Sequence, residues 1–159
     1  MQNQAMSSIV NKIEINGPLA VVFDLVTTTR YWPQWHPATI GVGGVTEHPF
    51  RLGDQVQERA QIGDHTYEGI WTVVEYQHPV QATLRMQSGR IQIRYTFYAA
   101  GAATVYQREL TFYPEDFRAS VTDPTRLEKL MHAQSEQALH KLKALVEQLV
   151  SANLFPRRG

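Results

Sequence analysis

Between residues 40 and 113 the hydrophobic period is two, broken by short turn sequences at Gly53-Asp54, Gly63-Asp64, His78-Pro79, Ser88-Gly89-Arg90 and Ala100-Gly101. The pattern predicts six strands, over residues 40–46, 55–62, 66–76, 81–87, 91–99 and 103–113. Connections this short cannot hold a crossover of about a dozen residues, so neighbouring strands must pair antiparallel, as a meander. A seventh strand precedes them. Ile9, Ile13 and Ile15 alternate with Val10, Lys12 and Glu14 until Asn16-Gly17-Pro18 turns the chain. Pro18 suits a first helical turn, and Val21, Val22, Leu25 and Val26 give a short helix its apolar stripe. The aromatic segment Thr27 to Pro37 follows, in which Pro33 and Pro37 limit further helix to about a turn or two.

Beyond the meander, residues 116–124 break the alternation, and Asp123-Pro124 opens a helix expected to reach Leu149. At about 100° per residue, Leu127, Met131, Ala138, Leu142, Leu145 and Leu149 fall within an arc of about 60°, flanked by Leu130, Leu139 and Val146. Such a helix is about 39 Å long, enough to cross a sheet of strands spanning roughly 30 Å. The expected class is α+β: a seven-stranded curved antiparallel sheet, two short helices, and a long C-terminal helix over the concave face.

Composition narrows what such a chain can do. It has 159 residues, 43% of them hydrophobic, which suits one domain, expected over residues 8–150 with flexible ends at 1–7 and 151–159. The absence of cysteine excludes disulfides, thiolate nucleophiles, zinc fingers and iron–sulfur clusters. Fifteen basic residues balance fifteen acidic ones without clustering beyond Arg157 and Arg158, so a nucleic-acid partner is not expected. Neither a signal-like start nor an apolar run of about 18 residues is present, giving a cytoplasmic expectation without stable membrane insertion. Gly41-Val-Gly-Gly44 lacks the spacing and strand-to-helix context of a dinucleotide loop, and no cofactor is expected. His132, Glu136 and His140 have helical spacing but fall near 140°, 180° and 220° on the wheel, so they read as a solvated edge and no metal site is expected.

The residues Ile13-Glu-Ile15, Gly17-Pro18, Val21-Val-Phe-Asp-Leu25, Tyr31 with Trp35 and Pro37, Gly53-Asp54, and Trp71-Thr-Val-Val-Glu75 followed by Pro79 carry a family resemblance. In this order the chain resembles the helix-grip fold of the SRPBCC superfamily, which includes START lipid-transfer domains, polyketide cyclases, the birch pollen allergen group and plant hormone receptors. It looks most like the polyketide cyclase/dehydrase-type branch, over about residues 8 to 150. The resemblance implies a deep apolar pocket between sheet and helix that takes a hydrophobic small molecule or lipid.

The strand period places polar side chains among the apolar ones on the inward face. Val56, Glu58, Ala60 and Ile62 share it with Tyr67, Gly69, Trp71 and Val73, with Leu84 and Met86, with Ile91, Ile93, Tyr95 and Phe97, and with Tyr106, Arg108, Leu110 and Phe112. Met131 and Ser135 face inward from the long helix. Candidate ligand-binding residues are therefore Trp35, Glu58, Tyr67, Trp71, Met86, Tyr95, Tyr106, Arg108, Met131 and Ser135. Glu58 and Arg108 are expected either to form a structural salt bridge or to anchor a ligand carboxylate or hydroxyl as a pair. The tyrosines either pack structurally or donate to a ligand carbonyl. Trp35 and Trp71 wall the cavity or the fold, and Trp32 is expected to be partly exposed at the mouth. If the chain is catalytic, the candidates are Arg108, Tyr95 and Tyr106, which would polarise carbonyls, and His36, as acid or base. The plainer reading of His36 is a loop ring that packs or meets water.

Three functions remain open on sequence: binding of a hydrophobic small molecule, a polyketide cyclase or aromatase-like reaction on a poly-carbonyl chain, and a protein-interaction module resembling the chaperone-activating branch. The expected oligomeric state is monomer or homodimer, the latter through a sheet edge.

Overall fold

The expected meander forms, and the strand that precedes it completes the sheet from the far side. In the computed structural model, which describes residues 5–154, the strands are β1 (Ser7–Ile15), β2 (Thr39–Gly44), β3 (Gln55–Ile62), β4 (His65–Gln77), β5 (Gln81–Met86), β6 (Gln92–Ala100) and β7 (Ala103–Phe112). The helices are α1 (Leu19–Val26), α2 (Trp32–Trp35) and α3 (Pro124–Ser151), with single 3-10 turns at Thr29–Tyr31 and Pro114–Phe117. The sheet order is β1-β7-β6-β5-β4-β3-β2, antiparallel throughout. Strands β1 and β2, consecutive in the chain, are thus the two sheet edges. The connection between them must cross six strand spacings, about 29 Å, and α1 and α2 make that crossing.

Hairpin chemistry fixes the register. Ile62 pairs with His65 and Ala100 with Ala103, so both loops have two residues, and each opens on a glycine in the left-handed region, Gly63 at φ 60° and Gly101 at φ 61°. With register fixed, parity decides the faces. In β7, Thr104, Tyr106, Arg108, Leu110 and Phe112 are buried while their neighbours are half-buried. The pairing of β4 with β5 slips between Val73 and Glu75, a bulge that bends the longest strand.

Helix α3 begins as its sequence dictates: the Asp123 carboxylate accepts the Thr125 N–H at 3.0 Å, and Pro124 occupies the first position. It buries Leu127, Met131, Ser135, Ala138, Leu139, Leu142 and Val146. A row of polar contacts fastens it along β1 in the same direction. Ser7 Oγ donates to Glu128, Asn11 Nδ2 to Glu136 Oε2 at 2.7 Å, the Asn16 N–H to Glu147 at 2.9 Å, and Lys143 Nζ to the Glu14 carbonyl at 3.0 Å. The lengths match: nine strand residues span about 30 Å, and the helix from Glu128 to Glu147 about 29 Å.

Several expectations need correction. On the edge expected to be solvated, His132 and His140 are exposed, whereas Glu136 is half-buried and accepts from Asn11, so this edge also helps to dock the helix. Strand β2 ends at Gly44, because Thr46 O turns to accept from the Arg30 N–H and Val45 O from Thr29 Oγ1. Ser7 belongs to β1 and Ser151 to α3, so the two ends are shorter than expected. The rest of the expected flexible ends includes residues 1–4 and 155–159, which lie outside the described residues.

Two substitutions test the helix. Asp123→Ala is expected to cost about 1 kcal/mol by loss of the cap, and Leu142→Ala, at a fully buried position, about 2–5 kcal/mol. Denaturant unfolding checks both, and equal small losses would show that α3 does not rest on its apolar face.

Candidate ligand cavity

A cavity of about 360 Å³ lies between the sheet and α3. Its apolar wall comes from Ile62, Ile93 and Leu110 on the strands, Met131 on α3 and Phe117 from the turn after β7. Gly69 shapes one side: a Cβ there would fall 2.3 Å from Met86 Sδ, so its absence lets Met86 fold back over β4. Exposed Gln87, Ser88 and Asp116 mark the rim, while Arg108 and Ser135 are buried.

Of the candidates read from sequence, His36, Glu58, Tyr67, Trp71, Met86, Arg108, Met131 and Ser135 line this cavity together. Trp35, Tyr95 and Tyr106 do not; all three are buried outside it, Tyr95 directly across from Arg108 on the neighbouring strand. Tyr106 stacks on Phe97 at 5.0 Å, and Phe97 meets Phe23 of α1 at 4.9 Å, so this part of the inward face packs beneath α1. Burial pushes the Tyr106 and Tyr95 phenols up in pKa, which keeps both protonated. Trp32 is 3% exposed, packs on Phe50 and donates Nε1 to the Val26 carbonyl at 2.9 Å, so it is not a mouth residue.

The polar groups form a chain rather than an ion pair. Arg108 donates from Nη1 to Ser135 Oγ at 2.9 Å and from Nη2 to His36 Nε2 at 3.1 Å. A guanidinium only donates, so His36 Nε2 accepts and the ring proton sits on Nδ1, 2.7 Å from Thr39 Oγ1. The Thr39 hydroxyl then donates to Glu58, whose other oxygen receives Trp71 Nε1 at 3.0 Å. The expected direct contact between Glu58 and Arg108 is absent: His36 and Thr39 stand between them.

Local sequence explains this insertion. Pro37 follows His36 in a tight turn closed by the Thr39 N–H on the His36 carbonyl at 3.0 Å, and that turn brings both side chains to one point. His36 is therefore not a loop ring without a partner. Tyr67 reaches the cavity with its ring, while its hydroxyl meets Ser120 Oγ at 2.8 Å. Thr39 and Phe117 were not among the candidates; the turn signal at Pro37 was the sequence feature that pointed to Thr39.

Burial, and secondarily the Arg108 charge, hold the His36 pKa well below its ordinary value, so the imidazole is neutral in the fold. In the unfolded chain it gains a proton below about pH 6.5, so the unfolded state binds more protons there and stability falls as pH falls. The groups facing His36 are Arg108, Thr39 and Glu58. Unfolding free energy measured from about pH 7 to about pH 5 is expected to decline less steeply in His36→Gln than in the unaltered chain, by up to about 1.4 kcal/mol per pH unit. Parallel pH profiles would contradict the buried neutral imidazole.

Comparison with known proteins places this arrangement. The family model described as polyketide cyclase / dehydrase and lipid transport matches residues 6–147. No curated protein matches the chain in sequence. Among solved structures, a START superfamily protein from Mycobacterium smegmatis superposes with a TM-score of 0.69 at 20% identity, covering 89% of this chain and 98% of its own. The protein TTHA0849 from Thermus thermophilus gives 0.71 at 13% identity, covering 92% and 99%. The di-domain ARO/CYC StfQ from the steffimycin biosynthetic pathway gives 0.70 at 12% identity, with 92% of this chain matched to 52% of that one. At these identities the structures share the fold, the helix-grip arrangement of a curved sheet and one long helix. With a family model spanning most of its length, the chain belongs to the polyketide cyclase/dehydrase and lipid transport family.

Proposed function

We propose that the chain binds a hydrophobic small molecule or lipid in the cavity between the sheet and α3. The observation that carries this reading is the cavity itself: about 360 Å³, within the range of small-molecule sites, apolar along most of its wall and polar at one buried cluster. Such a site removes apolar surface from water, while a few fixed donors and acceptors set orientation.

A cyclase-like reading is favoured by one further feature, the presence of Arg108 and His36 on the same cavity. A guanidinium there can polarise a ligand carbonyl. His36 Nε2 already accepts from Arg108, so it would serve as a base only after that hydrogen bond is released. Tyr95 and Tyr106 have no place in this version, since neither reaches the cavity.

Filling the space separates binding from folding. Met131→Trp is expected to abolish uptake of the neutral dye Nile red, followed by its fluorescence, while the thermal midpoint stays within a few degrees of the original, about the shift of a 1 kcal/mol change. Unchanged dye uptake by a folded Met131→Trp chain would place the binding elsewhere.

A further inference from the structure

We propose that the cavity selects ligands bearing a carboxylate at the head of an apolar body, and that Arg108 is the residue that receives it. The inference rests on the reading of this cavity as a ligand site and adds the chemical class. Arg108 is 5% exposed, and among the described residues no carboxylate comes within ion-pair distance of it. A buried charge in this position is costly unless something compensates it. Its hydrogen-bonding capacity is also unspent. Of five N–H groups, one goes to Ser135, one to His36 and one to the Tyr95 phenol across the strand pair, and Nε is buried with no partner.

The neighbours cannot supply what is missing. Ser135 and His36 already accept from Arg108, and the Tyr95 phenol beside it is protonated, so all three are neutral groups that add no counter-charge. Glu58 has one oxygen held by Thr39 and the other by Trp71, with the His36 ring between it and the guanidinium. The guanidinium is a planar fork suited to two oxygens at once, and it borders a cavity lined by Ile93, Leu110 and Met131. A carboxylate on an apolar chain satisfies both halves of that environment. An ester or alcohol of the same chain can accept from the guanidinium but brings no counter-charge, so the cation stays uncompensated.

The test measures binding of decanoate, methyl decanoate and decanol to the full chain by calorimetry at neutral pH, with Nile red uptake as the control for the cavity. Decanoate is expected to bind at least about tenfold more tightly than the ester or the alcohol. Arg108→Met, expected to fold because replacing a buried ion by an apolar group of similar volume is commonly tolerated, is expected to bring decanoate to within about twofold of the ester measured on the same variant. Should that variant not fold, Arg108→Lys keeps the charge without the fork and is expected to lower the acid-to-ester ratio by about threefold or more. Equal affinity for acid and ester in the unaltered chain, a preference undiminished in folded Arg108→Met, or an unchanged acid-to-ester ratio in folded Arg108→Lys overturns the assignment. Failure of all three probes with Nile red still taken up also overturns it and leaves the cavity reading standing. If the unaltered chain takes up neither the probes nor the dye, the cavity reading itself falls.

Discussion

How α3 is fastened decides almost everything else in this molecule. A helix is about 10–12 Å across with its side chains, whereas seven strands present a face about 29 Å wide, so one helix covers only part of the sheet's inner surface. The polar contacts from Ser7, Asn11, Glu14 and Asn16 hold α3 along the β1 edge, with helix and strand matched in length. The uncovered part must either fill with side chains or remain open. Beneath α1 it fills, with Phe23, Phe97 and Tyr106 in contact. Toward the turn after β7 it stays open, and that space is the cavity.

The polar chain within it follows from the same geometry. Glu58 on β3 and Arg108 on β7 lie four places apart in the sheet order, about 19 Å along a flat sheet, and curvature alone does not bring them into contact. The Pro37 turn drops His36 and Thr39 into the gap, and donors then run in one direction from guanidinium to imidazole to hydroxyl to carboxylate. Neutral His36 is required by this direction, because a second ring proton would face the N–H of Arg108. The same chain leaves the cation without a counter-charge of its own.

Much of this was legible in the sequence, for a reason that also marks its limit. Period-two alternation gives parity, and parity correctly put Glu58, Trp71, Met86 and Arg108 on the inner face; wheel angles did the same for Met131 and Ser135. Parity says nothing about position along a strand. Tyr95 and Tyr106 share the face of Arg108, Tyr95 as its cross-strand partner, yet neither lines the cavity, and Tyr106 stacks on Phe97 beneath α1. Partners contributed by loops were equally hidden. Nothing in local pattern predicts that His36 would accept from Arg108, 72 residues away, or that the irregular stretch after β7 would turn inward to seat Phe117 against Tyr67 and Phe112.

The central claim is that the space left by α3 is a binding site and not a packing remnant, and native mass spectrometry of the purified chain tests it most directly. The account predicts a one-to-one noncovalent adduct, either carried through purification and released into organic solvent or formed on adding apolar compounds. A chain that runs at its bare mass and takes up none of a panel of lipids and aromatic polyketides would contradict it.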